Sequence, residues 1–106
     1  MDFLINGEWW TIVPVYPTDP VLLRPDGVLS VGACNDITKS IYLSSELSGD
    51  FLKKVLCHEI AHAAMFSYDV TLDWDEEELV AEIIATFGEE IIYKTNVLFH
   101  FIKGRY

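Results

Sequence analysis

The first half of the chain alternates apolar and polar residues in short runs, whereas the second half has the longer spacing of helices. Residues 8–16, 27–33 and 39–43 are rich in β-branched, aromatic or small apolar side chains, and each predicts a strand. Prolines between residues 14 and 25 confine that region to an edge strand or a loop. Strands followed by helices predict an α+β domain, in which a small twisted sheet packs on a helix.

The first predicted helix begins at Phe51. No Gly or Pro interrupts the chain between Asp50 and Ser67, and either Ser48 or Asp50 is a suitable N-cap. One face of this helix is defined by i, i+4 and i+7 spacing: Phe51, Val55, His58, His62 and Met65. Uncharged residues flank the two histidines, so we expect this face to point inward.

A second helix is predicted over residues 73–90, with Asp73 or Asp75 as its N-cap and acidic residues in its first turn. Its wide apolar stripe comprises Leu79, Val80, Ile83, Ile84, Phe87 and Ile91. Glu78, Glu82 and Glu89 lie along a different edge. A last apolar segment, residues 97–102, predicts either helix or strand.

The pentapeptide from His58 to His62 contains two of the three histidines of the chain. On a helix the two imidazoles lie one turn apart on one face with the carboxylate of Glu59 beside them, the H-E-x-x-H arrangement of zinc peptidases. Buried imidazoles and carboxylates are costly to desolvate unless each has a partner, and one divalent cation satisfies two imidazoles. We therefore predict a metal at His58 and His62. Core histidines bonded to the backbone are the alternative.

Catalytic zinc usually has three protein ligands and one water, so a further ligand is expected downstream. Glu78 and Glu82 repel each other at i, i+4 unless a cation lies nearby. We assign Glu78 as the third ligand, and Glu82 as the acceptor for the second ring N–H of His58 or His62. A ligand role for Glu82 instead, or a solvated acidic face, stays open. The other acidic residues are assigned in part to solubility: Glu76, Glu77, Glu89 and Glu90.

These motifs resemble those of the gluzincins, and among them the short ImmA/IrrE-type metallopeptidases of bacteria, phages and mobile elements. The resemblance rests on the H-E-x-x-H helix and on a following helix that contains Glu78 and Glu82. It implies that His58, His62 and Glu78 bind zinc, that Glu59 is the general base, and that Glu82 orients a histidine ligand. The implied fold is zincin-like, and an edge strand, residues 41–43 or its neighbour, pairs with an extended substrate.

The implied function is an intracellular zinc metallopeptidase that hydrolyses a protein or peptide substrate, with Glu59 transferring a proton from the activated water to the leaving amine. Tyr68, Tyr93 and His100 are candidate donors to the oxyanion, and the sequence does not choose among them. The alternative is a non-catalytic zinc-containing binding module, in which Cys34, His100 or Glu82 would supply a fourth ligand. A metal-free domain with a chance motif is the third interpretation.

Composition narrows the remaining possibilities. A chain of 106 residues, 51% of them hydrophobic, predicts one domain over residues 1–106. A net charge of −10 argues against binding to nucleic acid. Cys34 and Cys57 are too few for a disulfide framework and are expected to be small buried residues. Trp9 and Trp10 are expected to divide between core and surface. With no predicted signal peptide or membrane span, the expected compartment is the cytoplasm.

Overall fold

The protein consists of a four-stranded sheet and two helices in the computed structural model, which describes residues 1–104. The strands are β1 (Asp2–Ile5), β2 (Glu8–Val15), β3 (Gly32–Asn35) and β4 (Ser40–Ser44), and the helices are α1 (Gly49–Ser67) and α2 (Trp74–Ile102). The sheet order is β1-β2-β4-β3, with β2 and β4 parallel and the other pairs antiparallel. The predicted α+β class is confirmed.

Two strands differ from the prediction. Strand β1 was not predicted; it pairs with β2 through a tight turn at Asn6 and Gly7, both of which have positive φ. The predicted strand over residues 27–33 is wrong, because only Gly32 and Ala33 belong to β3. Residues 27–31 instead fold back on a short 3-10 turn, Pro20–Leu22. The backbone N–H of Ser30 donates a hydrogen bond to the carbonyl of Leu22 in that turn.

The core lies between the sheet and α1. Its buried apolar residues are Trp10, Ile41, Leu43 and Ala63. The indole N–H of Trp10 donates to the Oγ of Ser67, 2.7 Å away, so the buried polar atom of the ring has a partner. Trp9 points to the other face of the sheet and is 64% exposed. The expected division of the tryptophan pair between core and surface is confirmed.

Helix α1 begins at Gly49, two residues before the predicted start, and Phe51, on the predicted inward face, is wrongly placed there because it is 57% exposed. Ser48 occupies the N-cap position, and the helix ends at Ser67. His62 and Met65, on the predicted inward face, are buried, and so is Glu59.

Helix α2 begins as predicted and ends later than predicted. Asp73 caps it: its carboxylate accepts the N–H of Glu76 at 2.9 Å, and the carboxylate of Glu76 accepts the N–H of Asp73 at 3.2 Å. The predicted end at residue 90 is wrong, because Gly88 lies within the helix and residues 97–102 continue it. Within residues 1–104, neither helix combines the length and apolarity needed to cross a membrane.

The face of α2 that packs on α1 is narrow. Ala81 is fully buried there, with Ala85 partly buried beside it, and these small residues allow the two helices to approach closely. Most of the predicted apolar stripe lies outside this contact, with Leu79, Ile83, Ile84, Phe87 and Ile91 all exposed.

Candidate metal centre

Helices α1 and α2 bring the three predicted ligands to one point. The Nε2 atoms of His58 and His62 lie 3.2 Å apart. Glu78 Oε2 is 3.3 Å from Nε2 of His58, and Glu78 Oε1 is 2.7 Å from Nε2 of His62. In the described part of the chain, His58, His62 and Glu78 each offer one ligand atom, and these three atoms lie within 4.8 Å of one another, close enough to bind one ion.

The spacing of these atoms suits zinc. A tetrahedral ion with bonds of about 2.0–2.1 Å separates its ligand atoms by roughly 3.3 Å. The distances from His58 Nε2 to the other two residues, 3.2 and 3.3 Å, match this value. The remaining distance, from His62 to Glu78, is shorter at 2.7 Å. The Glu78 side chain is 37% exposed, more than either histidine, so its carboxylate is the group with most freedom to adjust.

The opposite ring nitrogens of both histidines face carboxylates. His62 Nδ1 lies 2.7 Å from Glu77 Oε1, and His58 Nδ1 lies 3.3 Å from Glu82 Oε2. When Nδ1 of each neutral ring has the proton and faces its carboxylate, Nε2 presents a lone pair toward Glu78, which is the tautomer that a metal ion requires. Two lone pairs and the carboxylate of Glu78 therefore converge, and a cation between them removes the repulsion.

Glu77 is the site residue that the sequence analysis missed. We assigned it in part to solubility, but its side chain is only 17% exposed and it bonds to His62. The physical reason is its place on the helix: Glu77 precedes the buried Ala81 by one turn and therefore lies on the face of α2 that meets α1. That i, i+4 relationship to a small residue was the available signal.

Glu82 lies beside His58, one of the two histidines named for it, and does not join the group of three. Its carboxylate also lies 3.0 Å from Lys54 Nζ and accepts a hydrogen bond from the hydroxyl of Thr86. The hydrogen bond from Lys54 is the main cause of a lowered pKa for Glu82. The geometry thus favours Glu78 over Glu82 as the carboxylate that faces both imidazoles.

Glu59 is buried beside the histidines. Its Oε2 has no hydrogen-bond partner within residues 1–104. Burial is the main cause of a raised pKa for Glu59; His62 and His58 oppose the shift and Glu78 adds to it. A buried acceptor without a partner is costly unless a ligand or a solvent molecule provides one.

Glycine at position 32 makes room for Glu59. A Cβ atom at Gly32 would lie 2.9 Å from Cγ1 of Val55 and 3.1 Å from Cγ of Glu59. Strand β3 therefore passes directly over the part of α1 that contains the general-base candidate, at a distance that only glycine allows.

The three ligand candidates and Glu59 line a cleft of about 570 Å³. One wall comprises residues 21–25 and 30–34, and Trp74 contributes to the wall formed by α2. Strand β4, which contains residues 41–43, is interior, between β2 and β3. Its neighbour β3 is at the edge of the sheet. Of β4 and β3, therefore, only β3 has a free side that can pair with an extended substrate.

The outward backbone groups of β3 follow from its register. Ser44 donates its N–H to the carbonyl of Val31, so Val31 faces β4. Backbone groups alternate along an antiparallel strand, and those of Gly32 and Cys34 therefore point away from β4 along the cleft.

The remaining candidates lie elsewhere. Tyr68, Tyr93 and His100 do not line the cleft, so none of the three oxyanion candidates faces Glu59. Cys34 lines the cleft but is not in the ligand group, and burial raises the pKa of its thiol. Within the part of the chain described, neither Cys34 nor His100 supplies a fourth ligand.

No protein-family model, no curated protein and no solved structure matches this chain. The functional assignment therefore depends on the chemistry of the cleft and on the motif resemblance.

Proposed function

We propose that this protein is a zinc metallopeptidase of the gluzincin type, with a zincin-like fold and with His58, His62 and Glu78 as its ligands. The observation that carries the proposal is the convergence of two imidazole nitrogens and one carboxylate across two helices. Two imidazoles and a carboxylate form a known set of catalytic zinc ligands, which leaves one coordination position for water.

The proposed residues differ in what they do. When bound, zinc supplies the Lewis acidity that activates a water molecule and polarises the scissile carbonyl. Glu59 accepts the proton of that water and delivers it to the leaving amine. Burial raises the pKa of Glu59, which makes the carboxylate a better base near neutral pH than an exposed glutamate. Glu77 and Glu82 hold the imidazole rings of His62 and His58 in position.

The substrate we propose is a polypeptide in extended conformation. The outward N–H and carbonyl groups of Gly32 and Cys34 on β3 offer backbone hydrogen bonds along the cleft, and this mode of binding adds a strand to the sheet. Exposed apolar residues beside the strand, including Leu23 and Val31, would contact alternate side chains of the substrate.

The experiment that tests this proposal compares wild type with the Glu59→Gln variant. Both proteins are loaded with zinc and dialysed, the zinc content per chain is measured by elemental analysis, and hydrolysis of a quenched-fluorescent peptide library is followed. We expect one zinc per chain in both proteins and hydrolysis in wild type alone. Glu89→Gln, the same change at an exposed glutamate of α2 outside the candidate metal centre, is the matched control and retains both properties.

Two results would contradict the proposal. Wild-type protein that binds no zinc removes the metal centre, and hydrolysis retained by Glu59→Gln removes Glu59 from its role as the base. One zinc per chain without hydrolysis of any library peptide by wild type favours the non-catalytic binding module instead.

A further inference from the structure

The C-terminal half of α2 extends away from the rest of the molecule. Lys53, in the first turns of α1, pairs with Glu89, and every residue from Glu89 to Gly104 is exposed. The segment is nevertheless strongly apolar, with large side chains in solvent: Ile91, Ile92, Tyr93, Val97, Leu98, Phe99, Phe101 and Ile102. A helix with this much apolar surface is ordinarily covered by another element.

One line of these residues has the spacing of a helix-packing seam. Ile84, Ile91 and Leu98 are seven residues apart. Of the d-type positions three residues after each, the middle one is Lys94, and Phe87 and Phe101 occupy the other two, which leaves five apolar residues on the line. We call these five residues the α2 seam; their side chains are 41–72% exposed. The seam faces away from the candidate metal centre, because Ile91 follows Glu82 by nine residues, a rotation of about 180°.

The charges of α2 are arranged unequally along its length. Residues 74–89 contain six carboxylates and no Lys or Arg: Asp75, Glu76, Glu77, Glu78, Glu82 and Glu89. From Glu90 to Gly104 the helix and its end contain Lys94 and Lys103 against one carboxylate. Two such helices in antiparallel order place the basic end of each beside the acidic half of the other, whereas a parallel pair places like charges together.

We infer that the α2 seam binds a second copy of this chain, giving a two-fold symmetric, antiparallel dimer. With the axis near Ile91, Ile84 of one copy packs against Leu98 of the other. The contact is self-complementary and closed, as a two-fold interface must be. The apolar surface from Ile84 to Ile102 runs for about 28 Å. Large aliphatic and aromatic side chains of this kind dominate the energetics of buried interfaces.

This inference does not rest on the zinc proposal, since the seam and the metal centre lie on opposite faces of α2. Both clefts stay open in the dimer. A failure of either proposal therefore leaves the other standing.

The first test measures the mass of the whole chain by light scattering after size-exclusion chromatography, over a range of concentrations. Wild type is expected at about twice the 12.1 kDa of one chain. The double variant Ile91→Glu with Leu98→Glu is expected to halve that mass and to keep its helical circular dichroism. Tyr93→Glu, an equally drastic change outside the seam on the same exposed segment, is the matched control and stays dimeric.

The second test determines orientation by disulfide formation between mixed variants. An Ile84→Cys sample mixed with a Leu98→Cys sample is expected to form a covalent heterodimer under mild oxidation, with wild type as the background control for Cys34 and Cys57. In an antiparallel pair centred on Ile91, two copies of residue 84 lie roughly 20 Å apart, so Ile84→Cys alone does not cross-link.

Wild type that stays monomeric at its highest soluble concentration overturns the inference. So does a dimer that survives the double variant. Cross-linking of Ile84→Cys to itself with no mixed product indicates a parallel pair and also overturns it.

Discussion

Glu77 lies with its Oε1 2.7 Å from Nδ1 of His62 and thereby joins the second helix to the histidine motif of the first. With the ring proton on Nδ1 donated to Glu77, Nε2 of His62 is directed at Glu78 and has the lone pair that a metal ion needs. Its role follows from its position on the packed face of α2 and was not evident from the acidic composition of this segment.

The first prediction concerns this contact. Replacing Glu77 with Ala removes the acceptor for Nδ1–H and frees the ring of His62, so zinc affinity should fall about 10- to 100-fold. Competition with a chromophoric chelator measures the change. Glu77→Gln, which keeps an acceptor oxygen, should lose less. Glu89→Ala, at an exposed position of the same helix, should bind like wild type, and an unchanged affinity in Glu77→Ala would remove Glu77 from the site.

A second prediction separates the two glutamates that sequence alone left as candidates for the third ligand. Glu78 faces both imidazoles, while Glu82 faces Nδ1 of His58 and Lys54. Glu78→Ala should therefore lose stoichiometric zinc on dialysis. Glu82→Ala should retain one zinc per chain with an affinity lowered about 10-fold. Elemental analysis distinguishes them, and the reverse order of zinc loss would transfer the ligand role to Glu82.

The part of the site that sequence predicted well is the part set by local helix geometry. The spacing of His58 and His62 fixed a shared face, and Asp73 was a recognisable cap for the helix that contains Glu78. Both depend on periodicity and capping within a few residues. The α+β class followed for the same reason.

What the sequence did not reveal depends on contacts between distant segments. Strand β1 exists because Phe3 and Leu4 pair with Trp10 and Trp9, and its four residues are too short to be recognised alone. The apolar stripe of α2 was recognised, but periodicity does not say whether its partner is in the same chain. The helix was predicted to end at residue 90, and residues 97–102 were left as helix or strand, although the helix continues through both.

A third prediction concerns the strand above the general-base candidate. Gly32→Ala introduces a methyl group 2.9 Å from Val55 and 3.1 Å from Glu59, so β3 or α1 must shift. Overpacking of this kind costs about 1–3 kcal/mol of unfolding free energy. Chemical denaturation checks the stability, and peptide hydrolysis should fall with zinc retained, since the ligands are not displaced directly. Wild-type stability and activity in this variant would contradict the close approach.

A fourth prediction concerns pH. Burial raises the pKa of Glu59 in the folded protein above its ordinary value of 4.5, so the folded state binds this proton more tightly than the unfolded state. In metal-free protein the ionised carboxylate is therefore a destabilising group. The loss of folding stability that it causes is absent when the pH is below the ordinary pKa of glutamate. This loss grows as the pH rises through the raised pKa of Glu59 in the folded protein.

Glu59→Gln removes that cost. After removal of metal by a chelator, the variant should be more stable than wild type at neutral pH, because glutamine places no charge in this buried position. The advantage should shrink as the pH falls toward the ordinary pKa of glutamate. Denaturation curves over a pH series measure it, and a difference independent of pH would show that ionisation of Glu59 is not its source.

The central claim is that one zinc ion joins the two helices and keeps a position for water. A crystal structure of the zinc-loaded protein, with anomalous diffraction recorded at the zinc edge, tests it most directly. The account predicts one ion bound by Nε2 of His58, Nε2 of His62 and the carboxylate of Glu78, with solvent as the remaining ligand and Glu59 beside that solvent. An ion bound by four protein side chains, or no anomalous peak between the two imidazoles, would contradict it.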